Sequence, residues 1–436
     1  MTIGQRIVLI LFLASLVAGV ATGNQIYYRL SYLWALLFFG GWIWSVLSVR
    51  SVQVLRSART LRAQVGQIFE ERFEIQNGSR IPRIWLEIRD ESTLPGTEGS
   101  RVLTMIEGRQ GRSYLARTRL VQRGVFPLGP TVLASGDVFG LFPAERRIPA
   151  SESLLVYPLM VDIHRFPNPV GLLPGGEALR RRTHQVTPNA AGIREYEHGD
   201  PLNRIHWVST ARRGRLMVKE FELDPLADVW VFVDGSRNVQ ASLPQQPYNF
   251  QMKDFWHGQL QISLPPSTEE YSVSIAASLV RDYLRRGRAV GLVAAGQHLN
   301  LLPPDRGGRQ LGKVLESLAI LRATGDLPLR ALVETQAKHI ARGSTVVLIT
   351  PSTSPELSLV LDHLQRRGIR PVLVLINAST FGGLYGSESI AARIRAMGIS
   401  VRLVSYGDNL ETTLSEEASV KPGEAPDEEN LKIVDA

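Results

Sequence analysis

Two uncharged apolar stretches at the N-terminus, Ile7 to Ala21 and Leu30 to Val49, constrain this chain more than any other feature. The second holds about 20 residues, and a helix of that length, rising ~1.5 Å per residue, crosses a hydrocarbon core of ~30 Å. A short polar turn, Thr22 to Arg29, separates the two. Tyr27, Tyr28, Tyr32 and Trp34 gather at one end of the second stretch, where amphipathic rings suit the headgroup level. Arg50, Arg56, Arg59 and Arg62 follow it closely, whereas only Arg29 lies in the turn. The positive-inside rule then places the bulk of the chain in the cytoplasm and the turn outside, and Arg6 agrees. The expectation is a multi-pass protein of the cell membrane with the lipid bilayer as a partner. The rival for the first stretch is a cleaved signal peptide, since it is short and ends among Ala18, Gly19 and Ala21. That would leave a single anchor.

At 436 residues the chain has room for two or three domains. Apolar residues make up 44% and charged residues 21%, a balance that supplies folded cores. Cysteine is absent, which excludes disulfides, thiolate metal sites and a cysteine nucleophile. The net charge of +8 suits an anionic membrane surface better than nucleic acid, because no recognised nucleic-acid-binding motif accompanies it.

From Val52 to Tyr157 short apolar runs are broken by Gly, Pro and Asn. Phe69 to Ile75, Ile84 to Ile88, Ser113 to Leu120 and Thr131 to Ala134 read as strands, and Asn77-Gly78-Ser79 as a turn. The spacing predicts a small β-sandwich. Within it, Phe139, Leu141 and Phe142 read as core residues, and Gly124, Gly129 and Gly140 as positions with special backbone demands. An irregular, proline-rich link follows from Pro158 to Asn189, with a basic patch at Arg180 to Arg182.

After Asp228 the pattern changes. Val229 to Val233, Ala289 to Ala295, Thr345 to Thr350, Pro371 to Ile376 and Val401 to Val404 are short and rich in Val, Leu and Ile, as strands buried on both faces are. Helical patterns lie between them: Glu269 to Arg286, Arg309 to Leu321, Leu329 to Arg342, Glu356 to Arg367 and Ser387 to Met397. Gly287, Gly325, Gly343, Gly368 and Gly398 follow those helices in the position of a cap. Alternating strands and helices predict a doubly wound open sheet, whose ligands lie beyond the C-terminal ends of its strands. Val239 to Ser267 is an aromatic and polar insertion, with Tyr248, Phe250, Phe255 and Trp256, and reads as a partner-contacting or site-covering loop. The acidic segment at the end, with Glu416, Glu417, Glu424 and Glu428, reads as disordered. The expected domains are therefore a helical hairpin over 1–51, a sandwich over 52–157, a linking segment over 158–226, an α/β domain over 227–408 and a tail over 409–436.

The run from Gly192 to Ser236 carries a resemblance. Arg194-Glu195-Tyr196, Gly199-Asp200, Arg204-Ile205-His206-Trp207, Ala211-Arg212 and Leu216 to Lys219 together resemble the bacterial family called domain of unknown function 58. Proteins of that family are often found beside MoxR-type AAA+ ATPases, so the resemblance implies such an ATPase as partner. Arg194, Glu195, Asp200, Arg204 and Arg212 are read as one paired network, to which Arg brings bidentate and stacking geometry. His206 reads as a hydrogen-bonded structural residue.

A buried strand that delivers Asp234-Gly235-Ser236 also resembles the start of the metal site in von Willebrand factor A-type domains. The resemblance implies Asp234, Ser236, Asn238 and Thr268 as a degenerate ligand set, with Mg²⁺ as the ion such hard oxygen donors take. Asn238 stands where the pattern has a second Ser, and Thr350-Pro351 where it often has an Asp. No Gly-x-x-x-x-Gly-Lys-Ser/Thr loop, Gly-x-Ser-x-Gly elbow or His-x-x-Glu-His pair is present in the sequence. The expectation is a non-enzymatic membrane-anchored adaptor at the cytoplasmic face, working with a MoxR-type ATPase in protein assembly or maturation. The alternative is a Mg²⁺-dependent adhesion-type module.

Overall fold

The computed structural model describes residues 2–97, 99–164, 166, 190–197, 205–221, 228–244 and 264–415. The chain divides into two compact units, one carrying the residues before Met160 and the other most of those after it. Arg180 to Arg182, Asp200, Arg204, the aromatic part of the insertion and the acidic tail lie outside the described residues.

The first unit begins with two helices, α1 (Ile3–Thr22) and α2 (Gln25–Val49), both long and apolar enough to cross a membrane. They extend further than their apolar stretches predict. The polar turn shrinks to Gly23 and Asn24, because Gly23 adopts a left-handed φ of 69° and the Asn24 side chain accepts the Ile26 amide at 3.0 Å. Tyr27 and Tyr28 are thereby drawn into the first turn of α2.

Ten strands follow: β1 (Val52–Ala58), β2 (Arg62–Gln64), β3 (Ile68–Asn77), β4 (Arg83–Asp90), β5 (Ser100–Ile106), β6 (Gly111–Arg119), β7 (Gly124–Pro127), β8 (Thr131–Gly136), β9 (Pro143–Ile148) and β10 (Ser153–Tyr157). Among the described residues they form sheets in the orders β1-β3-β6, β2-β10-β7 and β5-β4-β8-β9. Alternate residues of β3 point inward, and Phe73 and Ile75 meet Leu86, Ile88 and Leu133 of the facing sheet. Glu71 lies on that same inward row. It is held bidentately by Arg56 (2.6 and 2.8 Å), which also binds Asp90 (3.0 and 2.9 Å) and stacks on Phe73.

The second unit opens with a hairpin of β11 (Ala190–Glu195) and β12 (Met217–Phe221), enclosing α3 (Trp207–Arg213). Its main sheet contains β13 (Val229–Asp234), β14 (Val290–Ala295), β15 (Leu299–Asp305), β16 (Thr345–Thr350), β17 (Arg370–Ile376) and β18 (Ser400–Val404). The order is β15-β14-β13-β16-β17-β18, and every neighbouring pair is parallel except β14 with β15. Strands β13, β14 and β16 are buried along their whole length, which explains why they read as unbroken apolar runs. Helices α4 (Thr268–Arg285), α5 (Gly307–Ile320), α6 (Leu329–Ala337), α7 (Glu356–Arg366), α8 (Ser387–Ala396) and α9 (Leu410–Ser415) complete it, except that the end of α5 from Leu315 to Ile320 groups with the first unit. Trp230, Phe232, Leu348 and Leu373 share one core with Leu332 of α6, Leu361 of α7 and Ile394 of α8. Strand β15 escapes sequence reading because Pro303 and Pro304 interrupt it. An edge strand tolerates proline, since one of its sides carries no ladder.

Candidate functional site

Strand β13 lies between β14 and β16, so its C-terminal end emerges at the middle of the sheet edge. Asp234 is its last residue and is 3% exposed. Its Oδ2 accepts from the Thr350 hydroxyl at 2.6 Å and its Oδ1 from the Ser236 amide at 3.1 Å. Burial raises its pKa above the ordinary aspartate value, and these two hydrogen bonds oppose the shift only in part.

The loop after Asp234 is shaped by close backbone approach. A Cβ on Gly235 would stand 2.2 Å from the Ala295 carbonyl oxygen, and one on Gly325 would stand 2.6 Å from that of Gly296. With no side chains in the way, Gly325 donates its amide to the Gly235 carbonyl at 3.0 Å, and Arg237 donates to the Gly325 carbonyl at 2.9 Å. Gly325 is therefore a crossing point, not the helix cap its sequence position suggests. Because the 321–328 loop is tied to this crossing, it delivers Asp326 to the site.

Asp234, Ser236, Asn238, Asp326, Ser352, Ser354, Glu356 and Arg330 line one cleft of about 250 Å³, floored by Leu329, Leu357 and Val360. The far wall is a series of local turns. The Thr350 oxygen accepts the Ser352 amide (2.9 Å), Ser352 Oγ accepts the Ser354 amide (3.2 Å), and Ser354 Oγ accepts the Glu356 amide at the start of α7 (3.3 Å). Asp326 pairs with Arg237 at 2.8 Å, and Glu356 with Arg330 at 3.5 Å.

Of the four expected metal ligands, the structure brings Asp234, Ser236 and Asn238 to the cleft and leaves Thr268 away from it. The Thr268 hydroxyl donates to Gln240 Oε1 at 2.6 Å and accepts the Ala241 amide at 2.9 Å. Gln240 in turn donates to the Asp234 carbonyl at 2.8 Å, so Thr268 braces the loop from behind. The side chains present do not fit a resident divalent cation. Each oxygen of Asp234 already accepts a hydrogen bond, burial raises its pKa, and Asp326 and Glu356 each pair with a guanidinium. Among the described residues no group of three or more His, Cys, Asp or Glu could hold a metal ion. Asp326, Arg330, Ser352, Ser354 and Glu356 were not legible as site residues. Their sequence signal is position near the end of a strand or the start of a helix.

The run that carries the family resemblance makes a separate feature. His206 caps α3: its Nδ1 accepts the Ser209 amide at 3.2 Å and lies 2.8 Å from the Ser209 hydroxyl. Accepting at Nδ1 places the ring proton on Nε2. Trp207 is exposed at the first turn, and Arg212 is exposed at the last. Glu195 pairs with Arg215 at 2.9 Å, a partner not anticipated from the sequence. Arg194 donates to the Glu195 carbonyl, and the Tyr196 amide to the Leu216 carbonyl. Arg194 and Glu195 thus lie on β11 and Arg212 on α3, while Asp200 and Arg204, the other members of the expected network, fall outside the described residues.

Two comparisons bear on the family. The model described as protein of unknown function DUF58 matches residues 192–246. An uncharacterized protein of Bacillus subtilis (strain 168), YeaD, is 24% identical over 295 residues. That match spans 66% of this chain and 65% of the relative, just under two thirds of its length. Both support a place in the DUF58 family. Among solved structures, the CARDB domain of a Pyrococcus furiosus protein in complex with di-metal ions aligns over 24% of this chain and 91% of its own. Its TM-score is 0.17 and its identity 9%, too low to bear on fold or function. A Paenibacillus sp. cycloisomaltooligosaccharide glucanotransferase complexed with cycloisomaltoheptaose covers 74% of this chain and 44% of its own, with TM-score 0.15 and 8% identity, and is equally uninformative.

Proposed function

We propose that this chain is a non-enzymatic, membrane-anchored interaction protein whose open-sheet unit presents the cleft around Asp234 to a protein partner. The observation that carries this reading is the condition of Asp234. It is buried, doubly hydrogen-bonded and flanked by hydroxyls that already serve the backbone, so it braces a recognition surface. The helix pair supports the anchoring. Ile10, Val17, Leu36 and Phe39 expose apolar side chains that suit lipid. Exposed Arg50 and Arg59 beyond α2 favour a cytoplasmic location for the soluble units. The order β15-β14-β13-β16-β17-β18 with one antiparallel edge supports a doubly wound, von Willebrand factor A-like architecture. The partner proposed is a MoxR-type AAA+ ATPase, acting with this chain in assembly or maturation of other proteins. The cleft's donor set speaks against the Mg²⁺-dependent alternative.

Crosslinking and co-purification of the full-length protein from its native membrane, read by mass spectrometry, tests this. Recovery of an AAA+ ATPase in near-equal amount, lost in an Asp326→Ala, Arg330→Ala double variant, is the expected result. Recovery of envelope proteins without any ATPase would replace the adaptor by a membrane scaffold.

A further inference from the structure

The loop between β8 and β9 pairs with the helix pair in a way that the sandwich alone does not require. Asp137 is buried, and its carboxylate accepts the amides of Phe139 (3.1 Å) and Phe142 (2.6 Å), with Gly140 turning the loop at a φ of 69°. This clamp sends the aromatic residues in opposite directions. Phe142 is buried and meets Phe38 of α2 edge-on at 5.1 Å between centroids. A Cβ on Gly41 would lie 3.2 Å from the Phe142 ring, and one on Gly4 would lie 2.8 Å from Leu141. The Thr2 hydroxyl donates to the Leu141 carbonyl at 3.0 Å. The loop is thus wedged against the first turn of α1 and the later half of α2. Phe139, expected in the core, is instead 68% exposed, and Val138 beside it is 63% exposed.

Depth along α2 gives this exposure a meaning. Gln5 of α1 and Trp42 of α2 line one groove, so the polar start of α1 at Gln5 and Arg6 marks the end of the hydrocarbon core nearer the sandwich, at the level of Trp42. Phe38 and Gly41, which the loop touches, lie before that boundary, and exposed Trp42 stands at it. Beyond it, Arg50 and Arg146 line a groove of about 560 Å³ together with Gln5, Trp42, Val46 and Glu145. Glu145 is paired with Arg89, and Arg146 donates to the Val52 carbonyl. An apolar tip at the acyl boundary with guanidinium groups behind it matches the profile of an interfacial anchor.

We infer that Val138 and Phe139 insert into the lipid interface beside the helix pair, making the β8–β9 loop a third membrane contact of the chain. This rests on the reading that α1 and α2 span the bilayer. A rigid loop seated at that depth would fix the sandwich at one height and tilt against the membrane.

The chain has no cysteine, so a single introduced thiol reports from one place. Full-length Phe139→Cys, Val138→Cys and Leu36→Cys proteins, each carrying an environment-sensitive fluorophore, are reconstituted into phosphatidylcholine–phosphatidylglycerol vesicles. Lipid with a nitroxide at a shallow acyl position is the quencher. Leu36 is exposed in the middle of α2 and reports on spanning itself. Quenching at all three positions, with a blue shift at 138 and 139, is expected. Quenching at 36 alone overturns the inference and leaves the spans intact. Quenching at none of the three overturns the spanning reading and the loop contact with it.

Discussion

The Thr350 hydroxyl donates to Asp234 Oδ2 across 2.6 Å, joining the ends of two neighbouring parallel strands through side chains. The same oxygen accepts the Ser352 amide, so one hydroxyl serves both the aspartate and the wall of the cleft. Thr350→Val keeps the shape and removes both bonds. It should lower unfolding stability by about 1–3 kcal/mol, the usual range for leaving a buried polar group without its partner. Thr350→Ser should restore most of the loss. Thermal melts of the three proteins in detergent check this, and an unchanged valine variant would refute it.

Asp234 gives a pH dependence of known sign. Its folded pKa is raised by burial, so the folded state holds the proton longer than the unfolded chain does. Its contribution to stability is present at acid pH, below the unfolded value, and is lost as pH rises through the raised folded value. Asp234→Asn does not ionise and escapes that loss. The melting temperature of the asparagine variant should exceed that of the unmodified protein at pH 7–8, with the gap closing towards about pH 4. A gap that widened on acidification would reverse the assignment.

Magnesium provides a separate test of the cleft. Titration of Mg²⁺ into the full-length protein should give no saturable heat and no rise in melting temperature. A saturable response that Asp234→Ala abolished would reinstate the metal-dependent alternative.

Glu71 is buried within the sandwich and held by Arg56. Glu71→Ala strands a guanidinium that keeps Asp90 alone, and should cost about 3–5 kcal/mol, as breaking one side of a buried ion pair does. Chemical denaturation of the full-length protein reads the loss directly. A change below about 1 kcal/mol would place the pair among those with solvent-like energetics.

His206 separates a capping role from a catalytic one. His206→Ala should cost about 1 kcal/mol through the lost cap on α3, and His206→Asn should recover it because asparagine caps equally well. Equal loss in both variants would show that the imidazole is needed for something other than capping.

What could be read from the sequence followed from periodicity. Val229 to Val233 and Thr345 to Thr350 announce buried parallel strands because both of their faces are covered. Gly287, Gly368 and Gly398 announce helix ends because each adopts a left-handed φ just past its helix, whereas Gly343 has the same φ in a turn beyond the end of α6 at Ala337. The cleft was only half legible. Asp234 follows a strand that can be recognised, whereas Asp326 reaches it through the contact of Gly235 with Gly325, residues 90 positions apart. Thr268 attracted attention because it opens a helix, yet its hydroxyl is spent on Gln240. Phe139 looked like a core residue because hydropathy does not record which way a turn aims its side chains. That direction is set by the Asp137 carboxylate.

The contact of Gly235, Gly296 and Gly325 separates the frame of the cleft from its lining. Spacing is set where main chains touch, while Arg237, Asn238 and Asp326 stand outside that contact with side chains free to differ. Relatives that keep the three glycines could therefore exchange charge and hydrogen-bonding groups at these positions while the mouth of the cleft keeps its width. Such a surface can change its preference for partners one residue at a time without refolding.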